Sequence, residues 1–245
     1  TGNRIAICNA NTLVRSARNF YIADLINNFT IRTPDGFPVA KALSILNKQN
    51  IPRVDGYKVF LQTIKDGLDR NRSHYFFGSD ELTTELMIKN LRKDYPEIQI
   101  SGYICPEFME SDQLVEKYAH EIENINADIV WVSLGFPKQE MFIDQVNKTI
   151  DTNSNFVGIG GVFEWVAGTK KKAPEWLAVR ARACGRPCGA RATRWCRSAL
   201  PLRIRAWTRS TSASPGRFCC TTCSVGRLSS FPVLSLRVGG VDRAP

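Results

Sequence analysis

The chain has 245 residues, of which 43% are hydrophobic, and this is enough for the core of one medium-sized α/β domain or two small domains. It contains no run of about eighteen apolar residues, so it predicts no transmembrane helix. The net charge of +10 is uneven, because residues 1–180 hold 21 of the 33 basic residues and 22 of the 23 acidic ones. The first 180 residues are therefore nearly neutral, and the excess of basic residues lies in the last 65.

The last 65 residues differ in composition from the rest of the chain. Residues 181–245 carry 12 arginines and one acidic residue, and they contain no Lys, Glu, Gln, Asn, His, Tyr or Met. No amphipathic period runs through this segment. We therefore divide the chain into an α/β domain at residues 1–178 and a tail at residues 179–245 that we expect to be poorly ordered. Our hypothesis is that the tail comes from a shifted reading frame or from a joined foreign segment.

Cysteine follows the same division, because the domain contains only Cys8 and Cys105 and the other six cysteines lie in the tail. Two isolated cysteines in a large domain suit a reducing compartment. One alternative for the tail is an anionic nucleic-acid or membrane partner, and another is a zinc site. The zinc ligands would be Cys184, Cys188, Cys220 and Cys223. The tail has no histidine and its first cysteine pair is spaced by three residues, which disfavours zinc.

From the start of the chain, short apolar runs alternate with amphipathic stretches. The apolar runs predict strands at residues 4–8, 74–78, 98–103, 128–134 and 155–159. The amphipathic stretches predict helices at residues 13–26, 37–46, 54–68, 81–94, 111–125, 138–150 and 162–167. We expect Asn11 or Thr12 to cap the first helix, and a turn at residues 33–36 to follow it.

This alternation predicts the α/β class, with a mostly parallel, Rossmann-like sheet and helices on both faces. Ligands of such sheets bind beyond the carboxyl ends of the strands. The chain has glycines at several of these ends, namely Gly78, Gly135, Gly160 and Gly161. We expect all four to line a ligand site. A dehydrogenase is a rival interpretation, but its G-x-G-x-x-G fingerprint should directly follow the first strand, where this chain has Asn9-Ala-Asn.

Several ordered segments carry a resemblance to a known family. The segments are Ile5–Ala10, Pro34–Gly36, Pro52–Gly56, Leu134–Glu140, Gly158–Phe163 and Ala167–Pro174. In this order and spacing they resemble the WecG/TagA/CpsF family of bacterial glycosyltransferases. The most specific of them is Leu134-Gly-x-Pro-Lys-Gln-Glu140.

The resemblance implies an enzyme that moves an N-acetylhexosamine or a related amino sugar from a UDP-sugar. The implied acceptor is a sugar linked to polyprenyl diphosphate, and the products feed teichoic acid, capsule, exopolysaccharide or other cell-envelope polysaccharides. The transfer is expected to invert the anomeric centre without a cofactor or a metal ion. We expect a cytoplasmic protein at the inner face of the bacterial plasma membrane, able to form a homo-oligomer and binding no nucleic acid.

The resemblance also implies roles for individual residues. Asp35 corresponds to the proposed general base, and Arg53 to a pocket arginine that faces the leaving diphosphate. Asn9 and Gln139 are amides that can bind sugar or base. Each has a purely structural alternative: a turn former for Asp35, a surface ion pair for Arg53 and a strand-end cap for Asn9. His74 and His120 are expected at the surface or at strand ends, and Cys8 as a small core residue.

The chain also departs from the family pattern. Ile7 stands where the family often has Thr, one β/α unit is missing before residue 1, and residues from Arg180 onward do not match. The absent initiator Met and secretion signal predict a cytosolic fragment. Because the family's C-terminal end is thought to complete the active site, we expect weak or no activity, so an inactive truncated member is an alternative.

Overall fold

The structure is a computed structural model that describes residues 2–172. Residue 1 and residues 173–245 lie outside the described residues. The predictions for the tail, namely its poor order, its zinc cysteines and the boundary after residue 178, fall outside that part and stay predictions.

The described residues form one six-stranded sheet. Its strands are β1 (Arg4–Cys8), β2 (Ile31–Pro34), β3 (Ser73–Gly78), β4 (Gln99–Ile104), β5 (Ile129–Ser133) and β6 (Asn155–Gly158). The strand order is β2-β1-β6-β5-β3-β4, and every neighbouring pair is parallel. The predicted α/β class with a parallel sheet is therefore confirmed.

Eight helices connect or follow these strands within the described part. They are α1 (Ala10–Arg18), α2 (Phe20–Asn27), α3 (Phe37–Asn47), α4 (Gly56–Leu68), α5 (Glu81–Asp94), α6 (Ser111–Glu123), α7 (Lys138–Thr149) and α8 (Val162–Ala167). Helices α2, α6 and α7 pack in one apolar cluster, and α4, α5 and α8 pack in another. None of the helices described is long and apolar enough to cross a lipid bilayer.

The central strand β5 shows why both sheet faces are covered. Its side chains alternate, so Val130 and Val132 join the cluster of α2, α6 and α7, whereas Trp131 joins the cluster on the other face. All three are at most 1% exposed. A strand buried on both faces reads as a continuous apolar run, which is why this strand was predictable from the sequence.

The Trp131 side chain is held by two contacts on its side of the sheet. Its ring lies edge-on to Phe60 with 4.8 Å between centroids, and its indole N–H donates to His74 Nδ1 at 3.2 Å. His74 lies near the start of β3, as the strand-end alternative predicted, but it is 1% exposed, so it is not a surface residue. Burial lowers the pKa of His74 to about 4, which keeps the ring neutral and able to accept this hydrogen bond.

The predicted helix over residues 13–26 is in fact two helices. Asn19 has an extended backbone, and its side chain accepts the Tyr21 N–H at 3.0 Å to cap α2. Phe20, the first residue of α2, is 70% exposed. The predicted cap of the first helix is also wrong: Asn9 caps α1 by accepting the Thr12 N–H at 3.1 Å.

The turn predicted at residues 33–36 is shorter in the structure and begins two residues later than predicted. Residues 31–34 form β2, and only Asp35 and Gly36 leave the strand. Pro34 made this segment read as a turn, but β2 lies at the edge of the sheet, where a proline can be tolerated. Helix α4 likewise begins at Gly56 and not at Val54, because Val54 forms a parallel bridge with Asp35.

Candidate active site

The carboxyl edge of the sheet opens around β6. The helix that follows β6, α8, packs on the opposite face from those that follow its neighbours β1 and β5. The chain therefore diverges on either side of β6, and such divergence leaves a crevice where α/β proteins bind ligands. Asn9, Gly135 and Gly160 come just after strand ends on this edge, as predicted, and Asp35 follows β2, a strand that the sequence did not predict.

Asp35 is fixed by backbone pairing on both sides. Its N–H donates to the Cys8 carbonyl at 2.9 Å, and the Val54 N–H donates to the Pro34 carbonyl at 2.9 Å. Gly36 then turns the chain with φ of 87°, a left-handed conformation that favours glycine. Asp35 is half-buried, so its carboxyl group is partly shielded from water.

The neighbouring connection places a second carboxylate and two cations beside Asp35. Arg53 NH2 donates to Asp55 Oδ2 at 2.8 Å, and Lys172 Nζ lies 3.2 Å from Oδ2 and 3.3 Å from Oδ1 of the same residue. Asp55 also caps α4 by accepting the Tyr57 N–H at 3.1 Å. Asp35, Arg53, Asp55 and Lys172 therefore form one charged group, which we call the Asp35 cluster.

The two carboxyl groups of this cluster have opposite pKa shifts. Burial raises the pKa of Asp35 above its usual range, and Asp55 adds to the rise, while Arg53 and Lys172 oppose it. Burial also acts on Asp55, but the hydrogen bond and charge of Lys172, with Arg53, lower its pKa overall. The pKa values of two neighbouring carboxyl groups are thus shifted in opposite directions, which is a common feature of acid/base sites.

A surface depression of about 520 Å³ starts at the Asp35 cluster. Arg53 and Asp55 line one end, and it extends along α4 past Tyr57 to Lys65 and Tyr95. Its volume is within the usual range for small-molecule sites. Asp35 itself does not line it, so the geometry that defines the site is the charged cluster and not this depression.

Gln139 lies at the start of α7 and is turned inward. Its Oε1 accepts the Gly160 N–H at 3.0 Å, and its Nε2 donates to Glu140 Oε1 at 2.9 Å. Only 4% of Gln139 is exposed. Ser133 Oγ donates to the Gly160 carbonyl at 2.6 Å, so Gly160 is held from both sides. In this structure Gln139 positions the loop after β6, and its predicted contact with substrate stays a prediction.

Glu140 is buried beneath the same loop. It is 2% exposed, and its Oε2 has no hydrogen-bond partner among the described residues. Burial raises the pKa of Glu140 to about 7, against the hydrogen bond from Gln139. In the folded protein Glu140 therefore stays mostly protonated up to about pH 7, whereas in the unfolded chain it loses its proton near the ordinary value of 4.5.

This shift predicts a pH dependence of stability. A raised folded-state pKa stabilises the fold fully below the ordinary value of 4.5, and this contribution is lost as the pH rises through about 7. The difference is worth about 3 kcal/mol at ~1.36 kcal/mol per pH unit. We expect Glu140→Gln to flatten the fall in unfolding free energy between about pH 4.5 and 7, which is the window of the shift.

Urea unfolding at several pH values measures this slope, with the exposed Glu97→Gln as the matched control. An unchanged slope in Glu140→Gln, equal to that of Glu97→Gln, would contradict a buried proton on Glu140.

The four predicted glycines have different surroundings. Gly78 has φ of 116°, and a Cβ there would lie 2.3 Å from the Ser133 carbonyl oxygen, so its role is the close approach of β3 and β5. Gly135 and Gly160 also have positive φ, but a Cβ on either would meet nothing within 4 Å. Gly161 is exposed and directly precedes α8. Open space beside Gly135 and Gly160 allows a ligand to approach the backbone.

Asn9 follows β1 and is exposed. Its Oδ1 accepts from the Thr12 N–H at 3.1 Å and from the Thr12 hydroxyl at 3.4 Å. The structure thus gives Asn9 the capping role that was its alternative reading. Its predicted contact with substrate stays a prediction.

Comparison with known proteins decides the family. The profile of the glycosyl transferase WecG/TagA/CpsF family matches residues 1–180, which is more than two thirds of the chain. The chain belongs to the WecG/TagA/CpsF family. The resemblance of the motifs around Asp35, Arg53 and Gln139 is therefore confirmed at the level of the family, while the roles of the single residues stay predictions.

Curated relatives of this chain share one name. A protein of Bacillus subtilis (strain 168) is 27% identical over 154 residues, covering 63% of this chain and 58% of the relative. A protein of Staphylococcus aureus (strain MRSA252) is 29% identical over 154 residues, covering 62% and 58%. Both are named N-acetylglucosaminyldiphosphoundecaprenol N-acetyl-β-D-mannosaminyltransferase. This chain spans about three fifths of the length of these relatives.

The sequence did not identify two members of the Asp35 cluster, Asp55 and Lys172, as site residues. Asp55 precedes a glycine at a helix start, so the sequence could have predicted it as a helix cap. Lys172 lies in the run Lys170–Lys172, and nothing distinguishes it from its neighbours in the sequence. Its contact with Asp55 spans 117 residues, and only the fold brings the two together.

The described residues include no group of three or more His, Cys, Asp or Glu side chains placed to hold a metal ion. The expected metal independence of the reaction stays a prediction. Cys8 is 1% exposed, and burial, with the charge of Glu140, raises its pKa to about 12. A thiol so rarely ionised is a poor nucleophile, which agrees with its interpretation as a core residue.

Proposed function

We propose that this chain is a glycosyltransferase that moves an N-acetylhexosamine or related amino sugar from a UDP-sugar to a polyprenyl-diphosphate-linked sugar. The single observation that carries the proposal is the half-buried Asp35, with a raised pKa, beside Arg53 and Lys172 at the carboxyl edge of the sheet. The names of the relatives support a mannosaminyl transfer to a diphosphoundecaprenol-linked acceptor.

In the proposed reaction, Asp35 is the general base. The acceptor hydroxyl oxygen forms a bond to the anomeric carbon of the donor sugar, and Asp35 takes the hydroxyl proton. The bond between the anomeric carbon and the diphosphate oxygen breaks, and its electron pair leaves with UDP. Attack opposite the leaving group inverts the anomeric centre. Burial raises the pKa of Asp35, and a carboxylate with a raised pKa is a stronger base than an ordinary aspartate.

The departing diphosphate gains negative charge, and this charge needs donors in the transition state. Arg53 is the candidate that sequence reasoning named, and its position beside Asp35 supports that assignment. The open backbone at Gly135 and Gly160 supports close approach of the donor to the sheet edge. The proposal needs no resident cofactor, and UDP-sugar is the donor substrate.

The proposed acceptor is a membrane lipid, so the enzyme would work at the inner face of the bacterial plasma membrane as a peripheral protein. A homo-oligomer is a further proposal, which sedimentation of the purified chain tests. The products would enter cell-envelope polysaccharides such as teichoic acid, capsule or exopolysaccharide.

Isothermal titration of the full chain with UDP, with NAD as the comparison, tests the donor class. We expect UDP to bind and NAD not to bind. A radiolabelled UDP-N-acetylhexosamine with a lipid-diphosphate sugar acceptor then tests transfer. UDP binding without any transfer would support the alternative of an inactive truncated family member. Binding of NAD in preference to UDP would overturn the proposal in favour of another nucleotide-dependent enzyme.

A further inference from the structure

One carboxylate joins two distant parts of the chain next to Asp35. Asp55 accepts from Arg53, two residues before it, and from Lys172, which follows α8. Its side chain is only 12% exposed, whereas those of Arg53 and Lys172 are 30% and 29% exposed. Asp55 is therefore the shielded centre of the contact, and the two cations lie at its more open side.

Lys172 is held by more than the ion pair. Its Nζ lies 4.2 Å from the centroid of the Tyr57 ring and 5.9 Å from that of Trp165. The two rings pack edge to face with 6.4 Å between centroids. Such contacts fix the direction of an ammonium group that would otherwise move freely in water. This arrangement contrasts with Lys170, which is mostly exposed and pairs with Glu164.

Neither cation has used all its donors on Asp55. A guanidinium has five N–H groups and an ammonium has three. Arg53 places one nitrogen on Asp55, while its Nε is buried and has no partner among the described residues. Because both side chains are about one-third exposed, their remaining donors can reach a ligand.

The cluster is close enough to Asp35 to act on it directly. Val54 bridges Asp35 in parallel register, so the residues on either side of Val54 start next to the proposed base. The charges of Arg53, Asp55 and Lys172 all act on the Asp35 carboxyl group, and the Gly36 N–H is its hydrogen-bond partner. The breaking bond of a sugar bound at Asp35 would therefore lie near both cations.

We propose that Asp55 is a positioning residue that holds Arg53 and Lys172 side by side as a two-cation cradle for the diphosphate of the sugar donor. This inference rests on the proposed function. In the reaction described above, the electron pair that leaves with the diphosphate oxygen is stabilised by the two cations, while the proton goes to Asp35 on the acceptor side. Lys172 thereby becomes a diphosphate-binding residue, and the segment after α8 becomes part of the site.

UDP alone is the probe, and isothermal titration of the full chain is the measurement. We expect Lys172→Met and Asp55→Asn each to weaken UDP binding roughly tenfold or more, as the loss of a charge-assisted hydrogen bond implies. Lys172→Arg should keep most of the affinity. The matched control is Lys170→Met, which removes an equally charged neighbour and should bind UDP like the unsubstituted chain. Thermal unfolding checks that each variant is folded.

The pH–rate profile of sugar transfer distinguishes a positioning role of Asp55 from a general loosening of the fold. Removing the negative charge of Asp55 should move the acid limb of the pH–rate profile to lower pH, and Lys172→Met should move it to higher pH. Shifts in opposite directions are not expected from a loosened fold. Asp35→Asn should keep UDP affinity and lose transfer.

If UDP binds the unsubstituted chain, and binds Asp55→Asn and Lys172→Met equally well, the cradle is overturned and the proposed function stands. If UDP does not bind the unsubstituted chain at all, the proposed donor class is overturned and the cradle with it.

Discussion

Asp35→Asn is expected to reduce sugar transfer by about two to four orders of magnitude, the usual contribution of a general base. Asparagine has nearly the same shape and can still accept the Gly36 N–H, but it cannot take the proton of the acceptor hydroxyl. The backbone bonds from Asp35 to Cys8 and from Val54 to Pro34 do not involve the side chain, so the fold should persist. Transfer of radiolabelled sugar to the lipid-diphosphate acceptor is the measurement.

The control for this substitution is Asp69→Asn, at the exposed end of α4. It makes the same chemical change far along the helix from the cluster, and it should leave transfer unchanged. A pH–rate profile adds a second criterion, because the raised pKa of Asp35 predicts an acid limb at higher pH than an ordinary aspartate gives. Transfer that survives Asp35→Asn at the control level would remove Asp35 from the role of base.

Trp131→Ala is expected to lower the unfolding free energy by about 3–5 kcal/mol, the range for a large aromatic side chain removed from a core. Trp131 is 1% exposed at the centre of the sheet and contacts the rings of Phe60 and His74. Its removal leaves a cavity and also leaves His74 without the indole donor at 3.2 Å. Urea unfolding of the full chain, followed by circular dichroism, measures the change.

The matched control for Trp131 is Leu82→Ala near the start of α5, where the leucine is 66% exposed. We expect its effect to stay within about 0.5 kcal/mol, because surface substitutions on helices seldom do more. A loss at Trp131 no larger than that at Leu82 would mean that the sheet does not depend on this ring.

Much of the sheet was predictable because its inner strands are buried on both faces. The run at residues 128–134 and the run at residues 155–159 appear in the structure as β5 and β6 with small changes at their ends. The edge strand β2 was not predictable, since it ends in Pro34 and is followed directly by Asp35-Gly36. The sequence Pro34-Asp-Gly36 favours a turn, but in the fold pairing with β1 makes residues 31–34 a strand.

The site was partly predictable for the same kind of reason. Asp35 and Arg53 belong to short motifs, and parallel strands bring such motifs to one edge. The directions of side chains were not predictable, and Gln139 is the plainest example. Its amide turns under the sheet edge to hold Gly160. The contact of Lys172 with Asp55 was not predictable either, because an ion pair across 117 residues has no signature in the sequence.

The position of β6 has a consequence for how the chain folds during synthesis. Strands β1 and β2 form one side of the sheet and β5, β3 and β4 the other, and β6 is the strand that joins them. It is also the last of the six along the chain, so during synthesis the two sides exist before the strand that unites them. Until then the inner borders of β1 and β5 are unpaired edges with apolar side chains, and such edges invite pairing with other chains. A chain that ends before Asn155 would therefore expose two unpaired strand edges and would be prone to associate with other chains.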